Sequence, residues 1–194
     1  MHDPIIPEGE SKNICPGEIC SHGQNLNLSG LARIIQGRWG SMEALKVKIT
    51  VKFLPNDYTC DGEDISPEID VGGVNTAISK SLAILVIDPD SGGGGGFVHW
   101  IAWNVELVRM IPEKIPNTPE VTFPITATQG TNSFGNIGYN GPCPPNGQTH
   151  RYFFTVYGLD CLLSLPAGST KEQLVKAMEG HVVQYGETYV TYGR

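Results

Sequence analysis

Long hydrophobic runs are missing from this sequence of 194 residues. No uninterrupted apolar stretch approaches the roughly 20 residues needed to cross a bilayer, so a membrane-spanning helix is not expected. There is also no basic amphipathic helix and no terminal lipidation motif, which argues against stable membrane insertion. Positive charge is scarce. Thirteen Lys and Arg residues face 20 Asp and Glu, giving a formal net charge of -7. A surface of that sign repels phosphate backbones, so nucleic acid is not an expected partner. Residues Met1 to Glu10 lack the basic start and apolar stretch of a secretory signal, and the expected location is therefore the cytoplasm.

What is abundant is glycine, at 24 residues, and proline, at 14. Both cut the chain into short elements and favour strands and loops over long helices. Residues 1–41 combine these with few large apolar groups, a composition that buries too little surface to offset its ordering entropy. They read as an irregular or disordered extension, with a turn or two of helix available over Leu31 to Trp39. Met42, itself a candidate translation start, opens a cleaner pattern, and residues 42–194 are expected to form one domain. At this length the apolar fraction of 40% is enough for a core without staples.

Leu45, Val47, Ile49, Val51 and Phe53 alternate with polar residues, the period of a half-buried strand. Ser81 to Ile87 is almost wholly apolar and reads as a strand covered on both faces. His99 to Val105 and Arg151 to Tyr157 are two further strands, both rich in aromatics. One helix is expected near the end: Ser169 or Thr170 caps it, Glu172 supports the cap, and Leu174, Val175 and Met178 make its apolar stripe before Gly180. Tyr185 to Tyr192 reads as a last strand. The expected fold is mainly β, an antiparallel sandwich with one C-terminal helix.

Five cysteines are an odd number, so at least one has no partner within a monomer. Cys15 and Cys20 are spaced for a small disulfide or for half a metal site, although only His22 stands nearby to extend a zinc ligand set. A pair of free thiols is the third reading. Cys143 lies between prolines and is expected to be an inert, packed thiol; a cationic neighbour would make it reactive.

Chemistry-bearing residues gather at strand boundaries. Asp88-Pro89-Asp90 follows the apolar strand, His99-Trp100 begins the next, and His150-Arg151-Tyr152 opens another after a Gly/Pro-rich stretch. Strand ends hold side chains rigidly while loops leave access. Each has a structural explanation too: a turn for the aspartates, a hydrogen-bonded core group for His99, an exposed pair for His150-Arg151.

Asp88-Pro89-Asp90, a glycine loop and then His99-Trp100 resemble the first signature of the phosphatidylethanolamine-binding protein family, also called the Raf kinase inhibitor protein family. Gly141-Pro142-Cys143-Pro144-Pro145 with Gly147, followed by His150-Arg151-Tyr152, resembles its second signature in the bacterial and archaeal form. Asp61 to Pro67 and the ending from Lys171 to Arg194 are similar to further family segments. The resemblance implies a pocket for phosphate-like head groups, walled by Asp88, Asp90, His99, Pro144, Pro145, His150 and Tyr152. A carboxylate beside each histidine would favour imidazolium, and backbone N–H groups of the Gly/Pro loop would add donors. Two departures stand out. The family continues Asp-Pro-Asp with Ala-Pro, whereas Ser91 and Gly92 to Gly96 follow here, and Val71 stands near a place where a Trp is usual.

The expected function is thus non-catalytic binding of a small anion or phosphorylated head group, with no cofactor and no metal. Two alternatives remain open. One is inhibition of a protease or kinase through a protein contact, for which the glycine loop is poorly rigid. The other is metal-assisted hydrolysis at His99, His150 and Asp88. No nucleophile stands in a recognised spacing such as G-x-S-x-G.

Overall fold

A computed structural model describes residues 42–194 apart from Lys52 and Gly93. The extension over residues 1–41, its helical turn and the Cys15–Cys20 pair lie outside the described residues. Among the described residues the strands are β1 (Glu43–Ala44), β2 (Lys46–Lys48), β3 (Ile69–Gly72), β4 (Ser81–Asp88), β5 (Phe97–Val105), β6 (Met110–Ile111), β7 (Glu120–Val121), β8 (Ala127–Gln129), β9 (Thr149–Leu159) and β10 (Val182–Gly193), with an α-helix, α1 (Lys171–Met178), between the last two. Seven strands form a sheet in the order β1-β10-β9-β4-β5-β8-β7, and a second sheet runs β2-β3-β6. The named strands pair antiparallel except β1, which lies parallel to β10.

The two sheets close on a core in which Val47, Ile69, Val71 and Ile111 meet Leu82, Ile84, Val86, Trp100, Tyr152 and Phe154. On the far face of the larger sheet, Ala83, Leu85, Ile101 and Trp103 pack with Leu174, Val175 and Met178 of α1. Strand β4 therefore has apolar neighbours on both sides, which is why its sequence is continuously apolar and every residue of it is buried. Val71, near the place where a Trp is usual, is fully buried in that inter-sheet core.

Three expectations need correction in detail. The alternating run from Leu45 is not one strand to Phe53. β2 ends at Lys48, opposite Asp70, although β3 runs on to Ile69, which pairs with Ile111 of β6 on its other side. The chain then leaves the sheet, and Phe53 is 69% exposed, touching β10 through a single bridge to Thr191. The helix is capped by Thr170, whose side chain accepts from Gln173 N–H while the Gln173 side chain accepts from Thr170 N–H. Gln173, three residues after the cap, completes the box, and Glu172 does not, because only the third helical position reaches back. Finally, Cys143 is no thiol: it is joined to Cys60, 83 residues away in sequence.

Candidate functional site: a pocket at the ends of β4, β5 and β9

The end of β4 and the starts of β5 and β9 lie side by side in the larger sheet, so the aspartates and histidines of the three segments converge. Between Val86 and Ile87 the β4–β5 register slips: Val86 faces Trp100 and Ile87 faces Val98, which leaves His99 as the extra residue of a bulge. A bulge re-aims the residue it carries, and His99 turns to the pocket against the rings of Phe97, Phe134 and Tyr152. Asp88, the last residue of β4, bends the chain through Pro89, and its Oδ1 accepts from Asp90 N–H at 2.7 Å. The turn back into β5 needs Gly96, with φ of +69°, where a Cβ would press on Ile87.

The cavity has a volume of about 600 Å³. Asp88, Asp90, His99, Pro144, Pro145 and His150 line it, as the motifs implied, together with Ser91, Gly92, Phe97, Phe134, Cys143 and Gln148. Tyr152 does not line it. It lies fully buried beneath, edge-on to His99 at 5.2 Å and stacked on His150 at 6.5 Å between centroids. Among the described residues its hydroxyl has no hydrogen-bond partner.

The electrostatics differ from two imidazoles each held by a carboxylate. His150 does have one: its Nδ1 donates to Asp88 Oδ2 at 2.8 Å, with both side chains almost wholly buried. Its Nε2 lies 3.0 Å from Gln148 Oε1. His99 instead donates from Nδ1 to the Asn140 carbonyl at 2.7 Å. Burial pushes the His99 pKa below 6.5, against smaller upward pulls from that carbonyl and from Asp88. Desolvation wins because no carboxylate touches the ring. Asp90 pairs with neither histidine. Its two oxygens take Arg151 Nε, Nη2 and N–H, and the guanidinium holds its carboxyl down at about 2. Burial, reinforced by Asp88 and Asp90, pushes the Tyr152 phenol well up.

The Gly/Pro loop is also less open than its composition implies. Gly141 N–H donates to Asp64, Gly147 N–H to the Arg194 carbonyl and Gln148 N–H to Pro145. These donors serve the loop's own shape. Asp64 also accepts from the Asn140 side chain, so it fixes both ends of the Asn140–Gly141 step. The glycine rim is steadied at one point, where the ammonium of Lys171 donates to the Gly95 carbonyl at 2.7 Å.

His99, His150 and Asp88 are not among the groups of three whose ligating atoms come within 4.8 Å of one another. Asp160, Cys161 and His181 do satisfy that distance among the described residues, but Cys161 is bound in a disulfide, which withdraws its sulfur from any thiolate ligand set. No helix of the described residues is long and apolar enough to cross a membrane.

Residues 47–193 match the model of the family described as phosphatidylethanolamine-binding protein. The chain belongs to that family. It is 48% identical over 161 residues to a UPF0098 protein of Pyrococcus horikoshii, covering 80% of each chain. Among solved structures, it resembles a phosphatidylethanolamine-binding protein homologue of Chlamydia trachomatis, with 36% identity, a TM-score of 0.69 and coverage of 78% of this chain and 98% of that one. A second is YbcL of E. coli, a member of the mammalian family, with 26% identity, the same TM-score of 0.69, and coverage of 77% and 98%. The segments of this phosphatidylethanolamine-binding protein family member that carry its signatures are those that meet at the pocket.

Motif reading missed Phe97, Phe134 and Gln148. Gln148 stands two residues before His150, close enough to be found by asking what occupies the second ring nitrogen. Phe134 comes from a loop whose approach to His99 no local pattern encodes.

Proposed function

We propose that this protein is a non-catalytic binding module for a small anionic or phosphorylated ligand, held in the pocket of Asp88, Asp90, His99, Pro144, Pro145 and His150 above Tyr152. The observation that carries the reading is the buried Asp88–His150 pair. Asp88 accepts the Nδ1 proton of His150 and fixes the ring, so that Nε2 is presented toward Gln148 at the edge of the cavity. Gln148 is exposed and can swing aside, leaving that edge to an anionic oxygen. The Tyr152 hydroxyl lies beneath, buried and without a hydrogen-bond partner among the described residues, and its ring supports both imidazoles. Phe97, Phe134, Pro144 and Pro145 form apolar walls that suit the organic part of a head group. No Ser or Cys nucleophile stands among these groups with a base: Cys143 is in a disulfide, and Ser91 Oγ donates to the Asp88 carbonyl.

The test is a calorimetric titration of the full chain with phosphate and, separately, with zinc, beside His150→Ala. Saturable phosphate binding that disappears in the variant supports the reading. Zinc binding lost in the same variant, with no phosphate binding, overturns it and makes metal-assisted hydrolysis the working reading.

A further inference from the structure

One wall of the pocket is held covalently. Cys143 immediately precedes Pro144 and Pro145 and itself lines the cavity. Its disulfide reaches Cys60 on the segment after the short helical turn at Asn56–Tyr58, and both cysteines are exposed. Upstream of Cys143 the backbone is well tethered, with Gly141 N–H on Asp64 and the Pro142 carbonyl accepting from Cys60 N–H at 3.1 Å. Downstream, attachment to the rest of the fold resumes at Gly147, which donates to Arg194. Pro144 and Pro145 have no N–H to donate, and the Pro145 carbonyl accepts from Gln148 within the loop. The disulfide is therefore the anchor that lies closest to the two wall prolines.

We infer that the Cys60–Cys143 disulfide is a redox-responsive clamp on the pocket wall, whose cleavage by a dithiol reductant frees Pro144–Pro145 and weakens ligand binding. Its ligand clause rests on the binding function proposed above; its mechanical clause does not. In the first step a thiolate of the dithiol attacks Cys60 Sγ, the Cys60–Cys143 bond breaks, and a mixed disulfide forms while the electron pair leaves on Cys143 Sγ. In the second, the remaining thiol of the reductant closes its own disulfide and releases Cys60. The protein gains two electrons and two protons, and the dithiol loses the same. Arg194 favours that direction of attack. Its Nη1 lies 3.6 Å from Cys143 Sγ, placing a cation beside the departing thiolate, although Asp61 also holds the guanidinium at 2.9 Å. Reduction would leave the tethers on Gly141 and Gly147 in place, so the loosening is confined to the wall between them.

The experiment compares the oxidised full chain with dithiothreitol-treated protein and with the double variant Cys60→Ser/Cys143→Ser, which leaves the disulfide of Cys161 intact. Amide exchange over residues 141–150 and calorimetric titration with inorganic phosphate are both recorded. Exchange in that segment should accelerate at least about tenfold in both treated forms, with the rest of the sheet unchanged, and phosphate affinity should fall several-fold. Unchanged exchange in the segment overturns the clamp. Acceleration spread evenly through the sheet also overturns it, because the bond is then a general staple. Faster exchange in the segment with undiminished phosphate affinity removes the gating of the ligand. If the oxidised chain binds no phosphate while the segment still loosens on reduction, the clamp stands and the proposed binding function falls.

Discussion

Asp88 Oδ2 accepts a hydrogen bond from His150 Nδ1 at 2.8 Å, with only 4% of the aspartate side chain and 7% of the histidine exposed. This pair ties the end of β4 to the start of β9. It is also the contact whose removal has the clearest energetic consequence.

Removing one partner of a buried hydrogen bond leaves the other unsatisfied, at a cost of about 1–3 kcal/mol. Asp88→Ala should therefore lower unfolding stability by at least about that amount, measured by urea denaturation near neutral pH. It also strips Asp90 N–H of the oxygen that shapes the turn. Asp88→Asn keeps an oxygen acceptor for either donor and should cost clearly less. Equal losses in the two variants would show that the charge contributes more than the hydrogen bonds.

His99 should reveal itself in the acid range. Burial is the larger influence on it and holds its folded pKa below 6.5, so the unfolded chain takes up its proton first as pH falls. Stability rises with pH wherever the unfolded state binds more protons. This histidine consequently costs nothing above about pH 6.5 and becomes progressively destabilising below it, until it protonates in the folded state as well. The comparison is between wild type and His99→Gln, which does not titrate, in urea titrations from about pH 8 to about pH 5. The stability difference should shift in favour of the variant as pH falls. A difference that stays flat would mean that His99 is solvated in the folded protein.

The fold was legible where one physical cause dominates a stretch of sequence. β4 could be read because two packed faces leave no polar position in Ser81 to Ile87 beyond its first residue, and α1 because its cap, stripe and terminating glycine agree. The run after Leu45 misled because alternation records which residues favour burial, not whether the chain stays paired, and β2 leaves β3 after Lys48. At the site, motif order identified which segments meet, but not their electrical state. Carboxylate and imidazole in the same signature do not reveal that Asp90 belongs to Arg151, nor that His99 faces a carbonyl. The Cys60–Cys143 bond spans 83 residues, and no local pattern carries information across that distance.

Gly141 is required by contact and not by an unusual backbone angle. A Cβ there would overlap the Tyr58 carbonyl oxygen and the backbone of Thr59, both rigid atoms with nowhere to retreat. Gly141→Ala should push the Gly/Pro loop off the Asn56–Cys60 segment and cost roughly 1–3 kcal/mol, in the range of overpacking changes. It should also lengthen the bond from this backbone N–H to Asp64. Urea denaturation reads the first effect. Amide exchange reads the second: the N–H that is protected at Gly141 in the parent should exchange faster at the same position in the variant. A variant as stable as wild type would show that the loop has slack at this point.

Asp90 and Arg151 offer the opposite case to the buried pair. Arg151 reaches both oxygens of Asp90 while packing its guanidinium over Phe153 at 5.9 Å, and 54% of its side chain remains in water. The geometry is two-pronged, yet solvent and salt screen it, so its contribution to stability should be modest. Its sign is fixed. The Asp90 carboxyl is lowered from 3.8 to about 2 by the guanidinium, so the folded state favours the ionised form. The resulting stabilisation is present above the unfolded value and is lost as pH falls from near 4 to about 2. Asp90→Asn should be less stable than wild type near neutrality, with a gap that narrows through that window and shrinks in molar salt. The amide oxygen of asparagine can still accept from Arg151 N–H, so that backbone bond is common to both proteins. A gap that persists unchanged at the acid end would therefore assign the effect to turn geometry, not to charge.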